Sequence, residues 1–218
     1  MIDTRKTGAL LCVALLASVG CQTAPEPTAP PAEPAQLVPS VAASGDGSTS
    51  ILVGYFSMRG TTEKLANAVA EGAAGVEGVT VTKKAVRDVT KRDLDAADGI
   101  ILGCPTHFAN IPGEMKSTID HWAWKMDVNF QNKVGGAFAT GGNLTGGKEH
   151  VVISLLLYML NNRMIIAGPI YKAGPRGYGE IGVSAATGAD DPGVSDIELA
   201  GARRLGERVA TVAQRYHR

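Results

Sequence analysis

Residues 51–72, ILVGYFSMRGTTEKLANAVAEG, change their hydrophobic period midway. Ile51 to Phe56 is an apolar run of strand length, whereas Leu65, Ala68, Val69 and Gly72 recur at the spacing of one helical face. Between them lie Ser57, Met58, Arg59, Gly60, Thr61 and Thr62, so the stretch reads strand, loop, helix. The alternation continues toward the C-terminus. Val79 to Val81 gives a second strand, Leu94 and Ala97 mark a helical patch, and Ile100 to Gly103 gives a buried third strand. Pro112 opens a helix where its missing N–H costs nothing, with Met115, Thr118, Ile119 and Trp122 facing inward. Val134 to Ala139 is strand four, Val152, Leu155, Leu156 and Met159 mark the next helix, and Met164 to Ala167 is strand five. Ser195-Asp196-Ile197-Glu198 is a capping box for a last helix that turns Ala202, Leu205, Val209 and Val212 inward. Five short apolar strands separated by helices predict a five-stranded parallel sheet covered on both faces, a doubly wound α/β domain. Ligands of such sheets bind beyond the carboxyl ends of the strands.

Composition narrows the function. With 21 Lys and Arg against 21 Asp and Glu, the chain has no basic field to concentrate nucleic acid, and no such partner is expected. Cys12, Cys21 and Cys104 are too scattered for a disulfide framework and lack the paired spacing of a zinc site, so no metal is expected. Glycine, at 27 residues, far outweighs the 5% of aromatic residues, which directs attention to the loops.

The first fifty residues read as delivery. Arg5 and Lys6 precede an apolar run from Gly8 to Gly20, shorter than the roughly 20 apolar residues of a membrane span. The ending, Leu16-Ala17-Ser18-Val19-Gly20-Cys21, resembles a bacterial lipobox, with Ser18 where that motif usually has Leu. A plain secretory signal with an incidental Cys21 is the alternative. Six prolines between Gln22 and Ser50, with no aromatic residue, predict an unfolded spacer extended at about 3.1 Å per residue along its proline-rich half. The expected organisation is a signal peptide over 1–20, a lipid-anchored linker over 21–50 and a folded domain over 51–218. Loss of residues 1–20 removes Asp3, Arg5 and Lys6 and leaves a net charge near −1, so lipid and not a polybasic patch holds the chain to the cell envelope. Gln22 after the cysteine favours an outer membrane.

Three loops leave strands one, three and four. The first, Ser57 to Thr62, offers hydroxyls and backbone N–H groups at a helix N-terminus, where a phosphate would sit; an ordinary turn with Thr61 as N-cap is the alternative. It lacks the Gly-Lys-Thr ending of a nucleotide-triphosphate loop and the spacing of a dinucleotide loop. The second, Gly103 to Pro112, carries Pro105, Thr106, His107 and Phe108, to which a planar heterocycle could stack or hydrogen-bond. The third, from Thr140 through Gly141, Gly142 and Asn143 to Glu149, lets main chain approach a flat ligand, or is a plain surface connection. Cys104 reads as a buried packing residue.

The ordered combination of YFSMRGTT, GCPTHFANIPGEMKSTID and ATGGNLTGGKE resembles the flavodoxin-like superfamily, nearest to NAD(P)H:quinone oxidoreductases of the tryptophan-repressor-binding-protein type. The resemblance runs from Ile51 to the C-terminus. It implies strand order 2-1-3-4-5, FMN as cofactor and NAD(P)H as a possible donor. It places the ribityl phosphate at Ser57, Met58, Arg59, Gly60, Thr61 and Thr62, and the isoalloxazine between Thr106-His107-Phe108 and Thr140-Gly141-Gly142-Asn143. The chain departs from the pattern before strand five, where Leu160-Asn161-Asn162-Arg163 replace a histidine of those reductases; His107 is the candidate substitute. The expected activity is FMN-dependent reduction of a quinone-like acceptor, the flavin itself being the catalytic group. A flavodoxin-type carrier between protein partners is the alternative, weakened by the near-neutral charge. The apolar helix containing VVISLLLYML predicts a homo-oligomer, dimer or tetramer.

Overall fold

The computed structural model describes residues 48–172, 177–188 and 193–217. The expected signal peptide, Cys21 and nearly all of the linker lie outside the described residues. From Thr49 onward strands and helices alternate: β1 (Thr49–Tyr55), α1 (Thr61–Ala74), β2 (Val79–Ala85), α2 (Lys91–Ala96), β3 (Gly99–Pro105), α3 (Gly113–Trp124), β4 (Val134–Gly141) and α4 (Lys148–Asn161). There follow β5 (Ile165–Ile166), β6 (Ile170–Tyr171), β7 (Tyr178–Gly179), β8 (Val183–Ala186) and α5 (Asp196–Tyr216). β2, β1, β3, β4 and β5 hydrogen-bond in that order, all parallel, as the resemblance implies.

Successive strand residues face opposite ways, and this divides the core in two. Leu52, Ile100, Leu102, Ala137 and Ala139 pack under α2, α3 and α4 with Leu94, Met115, Ile119, Trp122 and Leu155. Ile51, Val53, Ile101, Val134 and Phe138 pack under α1 and α5 with Leu65, Val69, Leu205 and Val209. On this second face the two helices touch through main chain: a Cβ at Gly72 would overlap the Arg203 carbonyl, and one at Gly206 the Val69 carbonyl.

The structure corrects several boundaries. β1 begins at Thr49, two residues before the expected strand, because Thr49 and Ser50 already pair with Val79 and Thr80. β2 runs four residues beyond Val81, through Lys83 and Lys84. It is an edge strand, where lysines are tolerated and discourage pairing with other chains, and these two find Glu63 and Asp93. The fifth position of the sheet is divided. Only Ile165 and Ile166 pair with the start of β4, while Val183 to Ala186 pair with its end, making six strands in the sheet. Between the two halves the chain makes an excursion carrying the small antiparallel β6–β7 pair. No helix among the described residues is long and apolar enough to cross a membrane.

Candidate functional site

At the carboxyl ends of the strands the three loops form the walls of one cleft of about 610 Å³, within the usual range for small-molecule sites. Its lining contains Ser57, Met58, Arg59, Thr61, Thr62, Pro105, Thr106, His107, Phe108, Thr140, Gly141, Gly142 and Asn143, all of them sequence candidates. Gly60, also a candidate, does not line the cleft; it is the N-cap of α1 in a left-handed conformation (φ 87°). That corrects the alternative of Thr61 as N-cap. No side chain caps this helix, so its first turn keeps N–H groups without a side-chain partner and the positive dipole end that favours an anion. Ser57 Oγ accepts from the Gly60 N–H at 3.1 Å and shapes the turn. Glu63, in the same first turn, is occupied elsewhere: the Tyr55 hydroxyl donates to it at 2.7 Å and Lys83 at 3.2 Å, which together hold its carboxyl below the ordinary range. Burial, with that hydrogen bond, pushes the Tyr55 hydroxyl up to about 12.

Thr140 joins the loops. Its hydroxyl lies 2.7 Å from that of Thr62, and its carbonyl accepts from the Thr106 N–H at 2.7 Å. The second loop turns back at once: His107 and Asn110 exchange backbone hydrogen bonds of 3.0 and 2.9 Å around Phe108 and Ala109. Both central residues have positive φ, 48° and 60°, a conformation that costs a non-glycine residue of order 1 kcal/mol and clusters at functional sites. Phe108 stands fully exposed at the tip, while the His107 ring packs edge-on against Phe56. The third loop is held from below by Lys148, almost wholly buried, whose ammonium donates to the carbonyls of Asn143 and Leu144 at 2.7 Å each.

Two features fit a planar, many-acceptor ligand such as FMN. The Thr106 hydroxyl oxygen is buried without a partner in the cleft wall, a costly arrangement for a polar atom unless a ligand pairs with it. A Cβ at Gly142 would meet nothing within 4 Å, so the bare main chain opens directly onto the cleft. Among the described residues, Arg59 and His107 are the only ionisable side chains in the lining. Among these residues the lining therefore holds no carboxylate or thiol, and its chemistry is that of what binds. Cys104 just beneath is fully buried, and burial pushes its thiol up to about 12. Among the described residues no group of three or more His, Cys, Asp or Glu is placed to hold a metal.

Thr187 and Gly188 complete the cleft and were not sequence candidates. The Thr187 N–H donates to the Gly141 carbonyl at 2.9 Å, extending the β4–β8 pairing. The readable signal was a repeat: Ala186-Thr187-Gly188 copies Ala139-Thr140-Gly141, each at a strand end. Residues 160–163 lie at the opposite end of the sheet, where the Asn132 N–H donates to the Arg163 carbonyl at 3.0 Å just before β4. This segment does not reach its own chain's cleft.

Known proteins resemble this chain over most of its described residues. An NAD(P)H dehydrogenase (quinone) of Syntrophobacter fumaroxidans is 29% identical over 77% of this chain and 98% of its own length. One of Azorhizobium caulinodans is 33% identical over 75% of this chain and 96% of its own. The crystal structure of a flavodoxin, WrbA-like protein from Agrobacterium tumefaciens superposes with a TM-score of 0.60 at 29% identity, covering 78% of this chain and 99% of that one. The family model of NADPH-dependent FMN reductase matches residues 49–177, more than half of the sequence, and the chain belongs to that family.

Proposed function

We propose that the cleft holds FMN and that the protein is an FMN-dependent oxidoreductase, taking electrons from NAD(P)H and reducing a quinone. The observation that carries this reading is the convergence of three acid-free loops on one cleft whose wall presents the unpaired Thr106 hydroxyl. When bound, FMN supplies two-electron chemistry: NAD(P)H gives up a hydride, and the quinone leaves as hydroquinone with two electrons and two protons gained. The chain's own groups bind and orient. The N-terminus of α1, with Ser57, Thr61, Thr62 and Arg59, receives the phosphate. Thr106 donates its hydroxyl proton to the ligand, and Gly141, Gly142 and Asn143 offer main chain to the flat ring, with Thr187 and Gly188 closing that side. His107 is the one lining group able to deliver a proton to the reduced acceptor.

The test is direct. The purified chain binds FMN with the absorbance bands of oxidised flavin and oxidises NADH or NADPH with benzoquinone in two-electron steps. A protein that ignores added FMN in titration calorimetry ends this reading. A long-lived semiquinone in stopped-flow spectra, without nicotinamide oxidation above that of free FMN, transfers it to a carrier.

We further propose export and anchoring through acylated Cys21, on the strength of the apolar run and spacer that flank it. Cys21→Ser then shifts the protein from the membrane to the soluble fraction; unchanged partition refutes the anchor. Self-association belongs to the outer face of α4, where Ile153, Leu157 and Leu160 are exposed on one stripe. Light scattering that reports a monomer at micromolar concentration counts decisively against it.

A further inference from the structure

Each of the three loops carries one large apolar side chain left mostly in solvent: Met58 is 68% exposed, Phe108 104% and Leu144 81%. Met58 and Phe108 line the cleft, and Leu144 directly follows Asn143, which also lines it. The mouth is therefore crowned by three apolar tips from three separate turns. Leaving them in water is costly, and for Phe108 the cost adds to that of a left-handed backbone. Loops 57–62, 105–110 and 140–147 contain no Asp or Glu, while Arg59 is exposed beside Met58. Projecting apolar tips flanked by a cation suit the headgroup and acyl boundary of a bilayer that contains anionic lipid.

We propose that this rim docks on the membrane surface and that the acceptor is a lipid-dissolved quinone taken from the bilayer. The proposal rests on the FMN-dependent quinone reductase reading above. A quinone with a long isoprenoid tail does not leave the bilayer, so its ring is reached only if the cleft mouth meets the interface. The rest of the sequence permits this. β1 starts at the end of the sheet opposite the cleft and spans only about 23 Å over its seven residues. The 27 residues from Cys21 to Gly47 reach up to about 80 Å when extended, several times that length. A chain tethered at Cys21 can therefore turn its far end to the same membrane.

The full chain, recovered from cell membranes and reconstituted in phosphatidylglycerol-containing vesicles, tests the docking. Leu144→Trp in a Trp124→Phe background, read as the difference from that background so that the buried Trp122 cancels, reports on the rim, and Glu77→Trp read in the same way reports on the opposite end of the sheet. Brominated phospholipid quenches the indole introduced by Leu144→Trp and spares that introduced by Glu77→Trp. Equal quenching of the two overturns the proposal. So does an emission at position 144 that is already blue-shifted without lipid and varies with protein concentration, because a second copy then covers the rim. In the same vesicles Leu144→Ser lowers the rate with a long-chain ubiquinone about tenfold, the loss expected from removing one buried leucine, and leaves the rate with soluble benzoquinone unchanged. An equal fall for both acceptors overturns membrane docking. Failure of the unsubstituted chain to reduce soluble benzoquinone instead overturns the enzyme reading, with the quenching result standing apart.

Discussion

Thr106 and Thr140 show how little separates a structural hydroxyl from a ligand-binding one. Thr140 is satisfied by Thr62 within the protein, whereas the Thr106 oxygen finds no partner. Thr106→Val therefore leaves the melting temperature of the flavin-free protein unchanged or raised, and weakens FMN binding about five- to tenfold, the worth of one neutral hydrogen bond. Paired thermal melts and FMN titrations check both halves. Gly142→Val places its branches in the open cleft and blocks FMN without loss of fold. Gly60→Val is a poorer probe, since at φ 87° it strains the backbone by about 1–2 kcal/mol whatever binds. Most of the site was legible in sequence because the residues following a parallel strand must meet at one edge, and thirteen of the fourteen cofactor candidates line the cleft. Thr187 and Gly188 escaped because Val183 to Ala186 is a four-residue strand of mostly small side chains, with too little apolar character to stand out from a loop.

Among the elements, helices with written caps were the easiest to place. Ser195 and Glu198 form the expected reciprocal cap on α5, and Glu198 also accepts from the Ala186 N–H at 2.7 Å, binding the helix start to the end of β8. Ser195→Ala costs about 1 kcal/mol, measured by denaturant titration. α2 is shorter and rests on Thr90 and Asp93. Burial opposes ionisation of Asp93, but Lys84 at 2.8 Å and the Thr90 donors outweigh it and hold the carboxyl at about 2. A depressed carboxyl stabilises the fold above its unfolded value near 3.9 and loses that contribution as pH falls toward 2. The stability difference between the natural chain and Asp93→Asn is accordingly level above about pH 5 and shrinks steadily below it. The α1–α5 contact could not be read from sequence, since a glycine inside a helix does not announce which backbone will lie against it. Gly206→Ala drives a methyl into the Val69 carbonyl and destabilises by about 2 kcal/mol or more, seen as a lowered denaturant midpoint.

At the scale of the molecule, the period change at residues 51–72 and its repetition were enough for the doubly wound sheet, while the division of the fifth strand depended on pairing between distant residues that no local pattern carries. The main-chain seam between α1 and α5 has a consequence for how the protein is made. β1 and α1 are synthesised first, yet half of the core they cover stays open until Leu205 and Val209 arrive more than 130 residues later. Closing so long a loop is slow, and the nascent chain cannot complete its fold while α5 is still inside the ribosome. Under the export proposed above, such a delay keeps the chain in a state that can be threaded: the last helix postpones compaction until synthesis is over, and FMN is then captured after the crossing.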